Sequence, residues 1–498
     1  MIRKVLLCCR GEIAMRFIRT CRHLGIETIA AYPIDDVGAP YVTAANLSVP
    51  IQARTPSEAI PEVIAIARLT GADAIAPGYG PLAENAEFAE LCVTEGFVFV
   101  GPNANAIRLS GDKIQARMAA EQAGASVIPG AMMPTDTNSC VSIARQIGFP
   151  VIVKAVLGGG GRGIRVAHTE NEFISALQEV RREAHNAFGS DQAYVERFLG
   201  EQVRHIEVQV VADQHGRVVH LGDRECSVQR RRQKLVEEAP APNLVDHIRQ
   251  NLYLQATNLA KAIGYDSAGT VEFLVDPCGS FYFIEMNARI QVEHPVTESV
   301  CGVDIVEQMI RSACGQPLAL DQDSIHFVGH AIEFRVCAED PLENFLPAAG
   351  VASSYVVPEG PGIRIDSGIT CGTVQSPRFD SLCTKIVVHG RDRSQALFRA
   401  TDALREFRVT GFPTNVPFHR WLLRHPDFVC GTYNLGLMAE FIVTPAEKSA
   451  IRTELAIVAA ISAFLREGIQ PHAESTHKNM GASLWRLRNE PRSYVESF

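Results

Sequence analysis

Over its first hundred residues the chain repeats one unit, a short apolar run followed by an amphipathic stretch. Val5-Leu6-Leu7-Cys8-Cys9 precedes an amphipathic run from Glu12 to Leu24, and Thr28-Ile29-Ala30-Ala31-Tyr32 follows it. The pattern returns with a helix-like stretch from Pro61 to Leu69, Ala74-Ile75-Ala76, a glycine turn at Pro77-Gly78-Tyr79-Gly80, a helix from Glu84 to Glu95 and the strand Phe97 to Val100. Such βαβ alternation predicts a parallel, doubly wound sheet. A dinucleotide fold is not indicated, because the first turn reads Arg10-Gly11-Glu12-Ile13-Ala14 and lacks G-x-G-x-x-G.

At 498 residues the chain is long enough for two to four packed domains, and 46% hydrophobic content excludes disorder as its main state. The net charge of -9 argues against a general polyanion-binding surface, so nucleic acid is not an expected partner. The 13 cysteines are scattered without a C-x-x-C pair, which indicates neither a disulfide framework nor a zinc knuckle. With no signal-peptide pattern after Met1, and with the longest apolar run, Leu455 to Leu465, short of the roughly 20 residues that span a bilayer, a cytoplasmic protein is expected.

From Pro150 the pattern becomes strand, loop, strand: Val151-Ile152-Val153-Lys154, a glycine run from Gly158 to Gly161, then Ile164-Arg165-Val166. A Walker loop needs a helix and a G-K-[ST] ending. Glycines between two strands instead suit a flexible hairpin whose N–H groups close over phosphates; a bare surface linker is the alternative. Residues from about 330 to 440 mix short strands (Ala331 to Val336, Leu382 to Val388) with a helix from Gln395 to Phe407, predicting an α+β C-terminal domain.

The densest chemistry lies in Thr270-Val271-Glu272-Phe273 and in Phe283 to Pro295. Period-two alternation puts Glu272 and Glu285 on one surface with Asn287 beside them. Two carboxylates and an amide oxygen can hold a hard cation carrying nucleotide phosphates, and a solvated strand face is the alternative. Arg289, Gln291 and Glu293 continue at the same spacing and offer a cation, an amide and a base where an anion could sit. Arg230-Arg231-Arg232, Lys113 and Lys154 are further candidate phosphate ligands, although a charge run taken alone is more often a solvated face.

Taken in order, Arg10 to Ala14, Pro77 to Gly80, Glu84-Asn85, Gly111-Asp112-Lys113, Cys226 to Arg231, Gln233-Lys234, Glu237 to Pro240, Phe283 to Asn287, Arg289 to Thr297, and His330 to Glu333 with Arg335 resemble the biotin carboxylase family of the ATP-grasp superfamily over roughly residues 1 to 440. The resemblance implies a Rossmann-like domain at 1–113, an ATP-grasp domain at 114–320 with a lid at about 130–203, a biotin carboxylase C-terminal domain at 321–440, and a helical extension at 441–498. It also implies that Lys113, Lys154, Gly160, Gly161, His205 and Gln229 contact ATP, and that Glu196-Arg197-Phe198-Leu199 holds adenine. Glu272, Glu285 and Asn287 would ligate Mg²⁺ or Mn²⁺. Lys234, Arg289, Gln291 and Val292 would hold bicarbonate, Glu293 would take its proton, and Arg335 would steady carboxyphosphate and the biotin enolate.

The chain departs from that pattern at Cys9, at Ala76, at Val156-Leu157 where the loop begins, and at Arg232. No lysine follows a methionine, so biotin is expected on a separate carrier protein, the further partners being a second copy of this chain and a carboxyltransferase subunit. The alternatives are another ATP-grasp ligase that passes an acyl phosphate to an amine or thiol, or a weakly active regulatory paralogue. The final carboxyl acceptor stays open among acetyl-CoA, propionyl-CoA and pyruvate.

Overall fold

The structure, a computed structural model, describes residues 2–156 and 164–444, with residues 457, 460 and 461. The chain divides into two units, Met1–Phe441 and Ile442–Phe498. The expected helical extension, Leu157 and the glycines from Gly158 to Gly161 therefore lie almost wholly or entirely outside the described residues.

The N-terminal sheet is parallel, with its strands in the order Leu47–Ile51, Glu27–Pro33, Lys4–Leu7, Ala74–Ala76, Val98–Phe99. The chain runs outward from the central strand and then returns to its other side, so the crevice at the carboxyl ends of Lys4–Leu7 and Ala74–Ala76 is the topological switch point. The helix Gly11–His23 opens there and buries Ile13, Phe17 and Cys21. A second helix starts at Pro56, five residues earlier than the apolar pattern indicates, because Thr55 and Glu58 form a capping box ahead of the apolar face.

Residues 130–197 build a four-stranded sheet in the order Gly130–Met132, Ala193–Arg197, Val151–Ala155, Ile164–Ala167. Helices Thr137–Ile147 and Glu170–Phe188 flank it in sequence. Its own cluster of Cys140, Val151, Val153, Phe173, Leu177, Val180 and Val195 gives this small body an independent core.

Eight further strands form one antiparallel-paired sheet, Phe281–Asn287, Ala268–Val275, Arg204–Ala212, Val218–Arg230, Gln233–Ala239, His330–Cys337, Leu382–Gly390, Ile363–Ser367, and the other described strands pair in two-stranded sheets. The pairing of Gln233–Ala239 with His330–Cys337 carries this sheet across the expected boundary at residue 320. In His330–Cys337 the alternation is clean. Ile332, Phe334 and Val336 join a core that includes Ala396, Ala400 and Leu404 of helix Arg393–Glu406, while Glu333 and Arg335 point to the opposite face. Among the described residues no helix is long and apolar enough to cross a membrane.

Candidate active site

Strand register assembles the polar face. Glu207 stands opposite both Arg224 and Glu272, and Glu272 stands opposite Glu285, so four charged side chains form a row across four strands. Asn287 pairs with Thr270, one step along the same face. Val208, Val271 and Met286 occupy the alternate positions and are buried in a hydrophobic core.

At the centre lies Lys234. Its Nζ donates to Glu207 Oε2 (2.5 Å), Glu272 Oε1 (2.9 Å) and Glu293 Oε1 (2.6 Å). Glu272 also accepts from Asn287 Nδ2 (2.9 Å) and Gln291 Nε2 (3.2 Å), and its Oε2 lies 2.9 Å from His205 Nε2. Gln229 Nε2 meets His205 Nδ1 at 2.7 Å. Burial would raise the Glu272 carboxyl, but Lys234 and His205 override it and hold the group far below its usual range. Burial and the Glu272 charge push Glu285 up, against Lys113.

Glu293, fully buried at the start of helix His294–Cys301, gives its other oxygen to Arg335 Nη2 at 2.8 Å. Burial disfavours its charge, yet Lys234, Arg335 and Arg224 together keep it well below the carboxylate range. Arg289 donates to Glu84 Oε1 (2.6 Å) and reaches Gln291 Oε1 and Asn287 Oδ1 (3.3 Å each). Lys385 Nζ holds Val292 O at 2.6 Å and lies 3.1 Å from Glu12 Oε2, whose partner oxygen accepts from Tyr79 (2.7 Å). The switch-point crevice is thereby tied to the Arg289–Glu293 segment. The turn carrying Tyr79 needs Gly78, whose φ is +63° and whose missing Cβ would stand 2.8 Å from Cys9 Cβ.

A second cationic group lies between the four-stranded sheet and this face. Lys113 begins the helix Lys113–Gln122, capped by Asp112, and burial lowers its ammonium. Lys154 ends its strand in ionic contact with Glu196; burial, aided by Lys113, Arg232 and Arg117, draws it down to about 7 against Glu285. Arg231 and Arg232 adopt φ of 50° and 67° in a two-residue hairpin between Arg230 and Gln233. A left-handed arginine pair is strained, and such strain often accompanies a functional position.

Of the residues singled out in the sequence, Lys234, Glu272, Asn287, Gln291, Glu293, Arg289, Arg335, His205 and Gln229 thus form one contiguous network. Glu285 lies beside it, in register with Glu272. Glu196 faces inward from the lid, Arg197 is exposed, and Phe198 and Leu199 are half-buried. The N–H groups of Arg197 and Phe198 bond Pro129 O and Pro150 O. Gly160 and Gly161 lie outside the described residues. Sequence reasoning passed over Glu207, Arg224, Lys385 and Glu12. Glu207 had a local signal in its period-two step from His205, and Glu12 lies in the Arg10 to Ala14 segment that carries the resemblance.

The ligating atoms of His205, Glu207 and Glu272 lie within 4.8 Å of one another, a cluster of oxygen and nitrogen donors that shares only Glu272 with the set expected from the sequence. Buried carboxylates and clustered lysines beside a separately packed four-stranded sheet are the parts expected of an ATP-dependent ligase. The comparisons with known proteins narrow this. The biotin carboxylase N-terminal domain matches residues 1–107, the carbamoyl-phosphate synthase L chain ATP-binding domain residues 112–321, and the biotin carboxylase C-terminal domain residues 333–440. Biotin carboxylase 1 of Bacillus subtilis is 46% identical over 448 residues, covering 89% of this chain and 99% of that protein. A pyruvate carboxylase subunit of Methanothermobacter thermautotrophicus is 43% identical, covering 89% and 90%. The solved biotin carboxylase domain dimer of Hydrogenobacter thermophilus 2-oxoglutarate carboxylase, in complex with MgADP, ADP and bicarbonate, superposes with a TM-score of 0.85 at 41% identity, covering 88% of this chain and 98% of that one. The chain belongs to the biotin carboxylase family, whose members are ATP-dependent ligases that carboxylate biotin.

Proposed function

We propose that this chain carries out the first half-reaction of a biotin-dependent carboxylase, with Glu293 as the base and biotin presented on another polypeptide. The observation that carries the assignment is the placement of one fully buried carboxylate between Lys234 and Arg335, beside the Glu272 network. Lys113, Lys154, Gly160, Gly161, His205 and Gln229 hold ATP, with Glu196-Arg197-Phe198-Leu199 along the adenine. Glu272, Glu285 and Asn287 hold Mg²⁺ or Mn²⁺, which makes the γ-phosphate more electrophilic when bound.

Bicarbonate lies against Lys234, Arg289, Gln291 and the backbone of Val292. In the resting chain Glu293 is a weak base because two cations are committed to it. An anion that draws Lys234 and Arg335 toward itself raises the proton affinity of Glu293 as it arrives. Glu293 then takes the bicarbonate proton, the freed oxygen attacks the γ-phosphorus, and the β–γ bridging oxygen leaves with ADP. Carboxyphosphate breaks down to CO₂ and phosphate, the released phosphate takes the ureido N–H proton of biotin, and the enolate nitrogen, its oxygen steadied by Arg335, attacks CO₂.

A biotin carrier protein and a carboxyltransferase are the partners, the chain acts in the cytoplasm, and by analogy with the Hydrogenobacter domain it pairs with a second copy. Relatives of similar identity are named for pyruvate and for 2-oxoglutarate, so the family alone does not fix the acceptor. The test is ATP hydrolysis by the purified chain. Turnover should rise only when bicarbonate and free biotin are both present, and biotin-independent turnover with another nucleophile would overturn the assignment.

A further inference from the structure

Behind Arg335 lie two carboxyl groups to which the reaction above gives no role. Glu237 and Glu333 stand directly opposite each other on neighbouring antiparallel strands, on the face shared by Arg335 and Lys385. In such a pair the Cβ atoms are about 5 Å apart, so the carboxyl groups can meet. Both residues are fully buried, and among the described residues neither oxygen of Glu333 has a hydrogen-bond partner, while Glu237 has only Arg335. The one ionic contact of Glu237 is Arg335 Nη2, 2.5 Å from its Oε1, and the same nitrogen holds Glu293 at 2.8 Å.

We propose that Glu237 and Glu333 share a single proton and that this pair positions Arg335, deciding how firmly the guanidinium is committed to Glu293 and the incoming anion. The proposal rests on the roles given above to Glu293 and Arg335. Four buried carboxyl groups, from Glu12, Glu237, Glu293 and Glu333, face two cations, Arg335 and Lys385, while Lys234 is shared among Glu207, Glu272 and Glu293. A buried carboxylate without hydrogen bonds costs several kcal/mol, and two placed side by side cannot both stay ionised. A proton between them removes both penalties. Burial accordingly pushes Glu333 well up, and it pushes Glu237 to about 7 in spite of Arg335.

The other groups facing the pair do not remove this need. His294, on the packed helix, is kept neutral by burial and by Lys385, Arg16 and Arg364. Cys226 on the next strand stays a thiol, and Arg224 is bound to Glu207. Arg393, on the helix across the sheet, bonds Glu238. With the proton present, Glu237 competes weakly for Arg335. Once it is lost, Glu237 is a full charge 2.5 Å from that nitrogen and draws the guanidinium from the reacting groups.

The experiment pairs kinetics with infrared spectroscopy on the full chain. The bicarbonate- and biotin-dependent rate of the natural chain should decline as pH rises past neutrality. Glu237→Gln, always neutral, should flatten that limb. Glu333→Gln removes the neighbouring charge, so Glu237 ionises more easily and the limb should move toward acid by about one pH unit, a tenfold change in protonated fraction. The resting protein should show the infrared band of a buried protonated carboxyl at neutral pH, and Glu333→Gln should diminish it as Glu237 ionises. Equal loss of rate at every pH in both variants, or no such band in the natural chain, overturns the proposal. Wild-type turnover in Glu293→Gln would instead sink the assignment of the base, and the infrared result would be untouched by it.

Discussion

Glu272 and Glu285 face each other in register across two antiparallel strands, yet their charges are held in opposite ways. Glu272 collects Lys234, His205, Asn287 and Gln291, whereas Glu285 lies in the field of the Glu272 charge with Lys113 as its counterweight. A cation held by Glu272 and Glu285 would relieve that repulsion. Glu285→Gln should therefore weaken Mn²⁺ binding in the presence of ADP by at least about tenfold, ~1.4 kcal/mol, in a calorimetric titration. Equal Mn²⁺ affinity in the two proteins would remove Glu285 from the ligand set.

Glu293→Gln keeps the bulk of the side chain and its bond to Lys234 but cannot take a proton. Biotin-dependent turnover should fall by about 10² to 10⁴ while ADP affinity changes little, since a general base commonly contributes that much. Steady-state kinetics together with ADP titration checks both halves, and unchanged turnover at neutral pH would show that the base is elsewhere.

The placement legible in the sequence is the part that alternation along one strand controls. Glu285 and Asn287 fall two residues apart, and Glu272 sits in a similar apolar strand, so a period of two suffices to place them on one face. The ammonium of Lys234 could not be placed that way, because its three partners lie 27, 38 and 59 residues distant. Glu237 and Glu333 were visible as letters in recognisable segments, but their opposition depends on a pairing between strands far apart in sequence. The Arg231-Arg232 hairpin was hidden for another reason: arginines carry no turn preference, so the left-handed conformation is imposed by the flanking strands.

The opposite face of the same strand holds a structural counterpart. Glu238 is fully buried and accepts from His330 (2.5 Å), twice from Arg393 (2.7 and 2.9 Å) and from Tyr433 (2.6 Å). Burial would raise its carboxyl, but the bonds from His330 and Arg393 bring it from 4.5 to about 2. A depressed acid stabilises the fold above its unfolded value and loses that contribution as pH falls toward the folded one, here about 3 kcal/mol between roughly pH 5 and 2. Glu238→Gln leaves Arg393 without its counter-charge and should lower stability at neutral pH by about 3 kcal/mol, read as a lower urea midpoint. The variant should also lose less stability on acidification than the natural chain. A parallel decline in both would place the acid sensitivity in other groups.

Val156 gives a test of lid movement that does not touch the reacting groups. It follows the strand Val151–Ala155, is buried, and its N–H bonds Gln192 O at 3.1 Å, so it sits at the fixed end of the glycine run. A β-branched side chain has few rotamers, and with Val156 buried it holds this end of the strand more firmly than a small polar residue would. Val156→Ser removes buried apolar surface and loosens that anchor while leaving the glycines beyond it unchanged. If opening and closing of the lid limit turnover, the apparent KM for ATP and kcat should change together by about two- to tenfold, under ~1.4 kcal/mol. A change in thermal stability without any change in either constant would assign Val156 to packing alone. A change in kcat of several orders of magnitude would mean that the loop base acts on the chemical step itself.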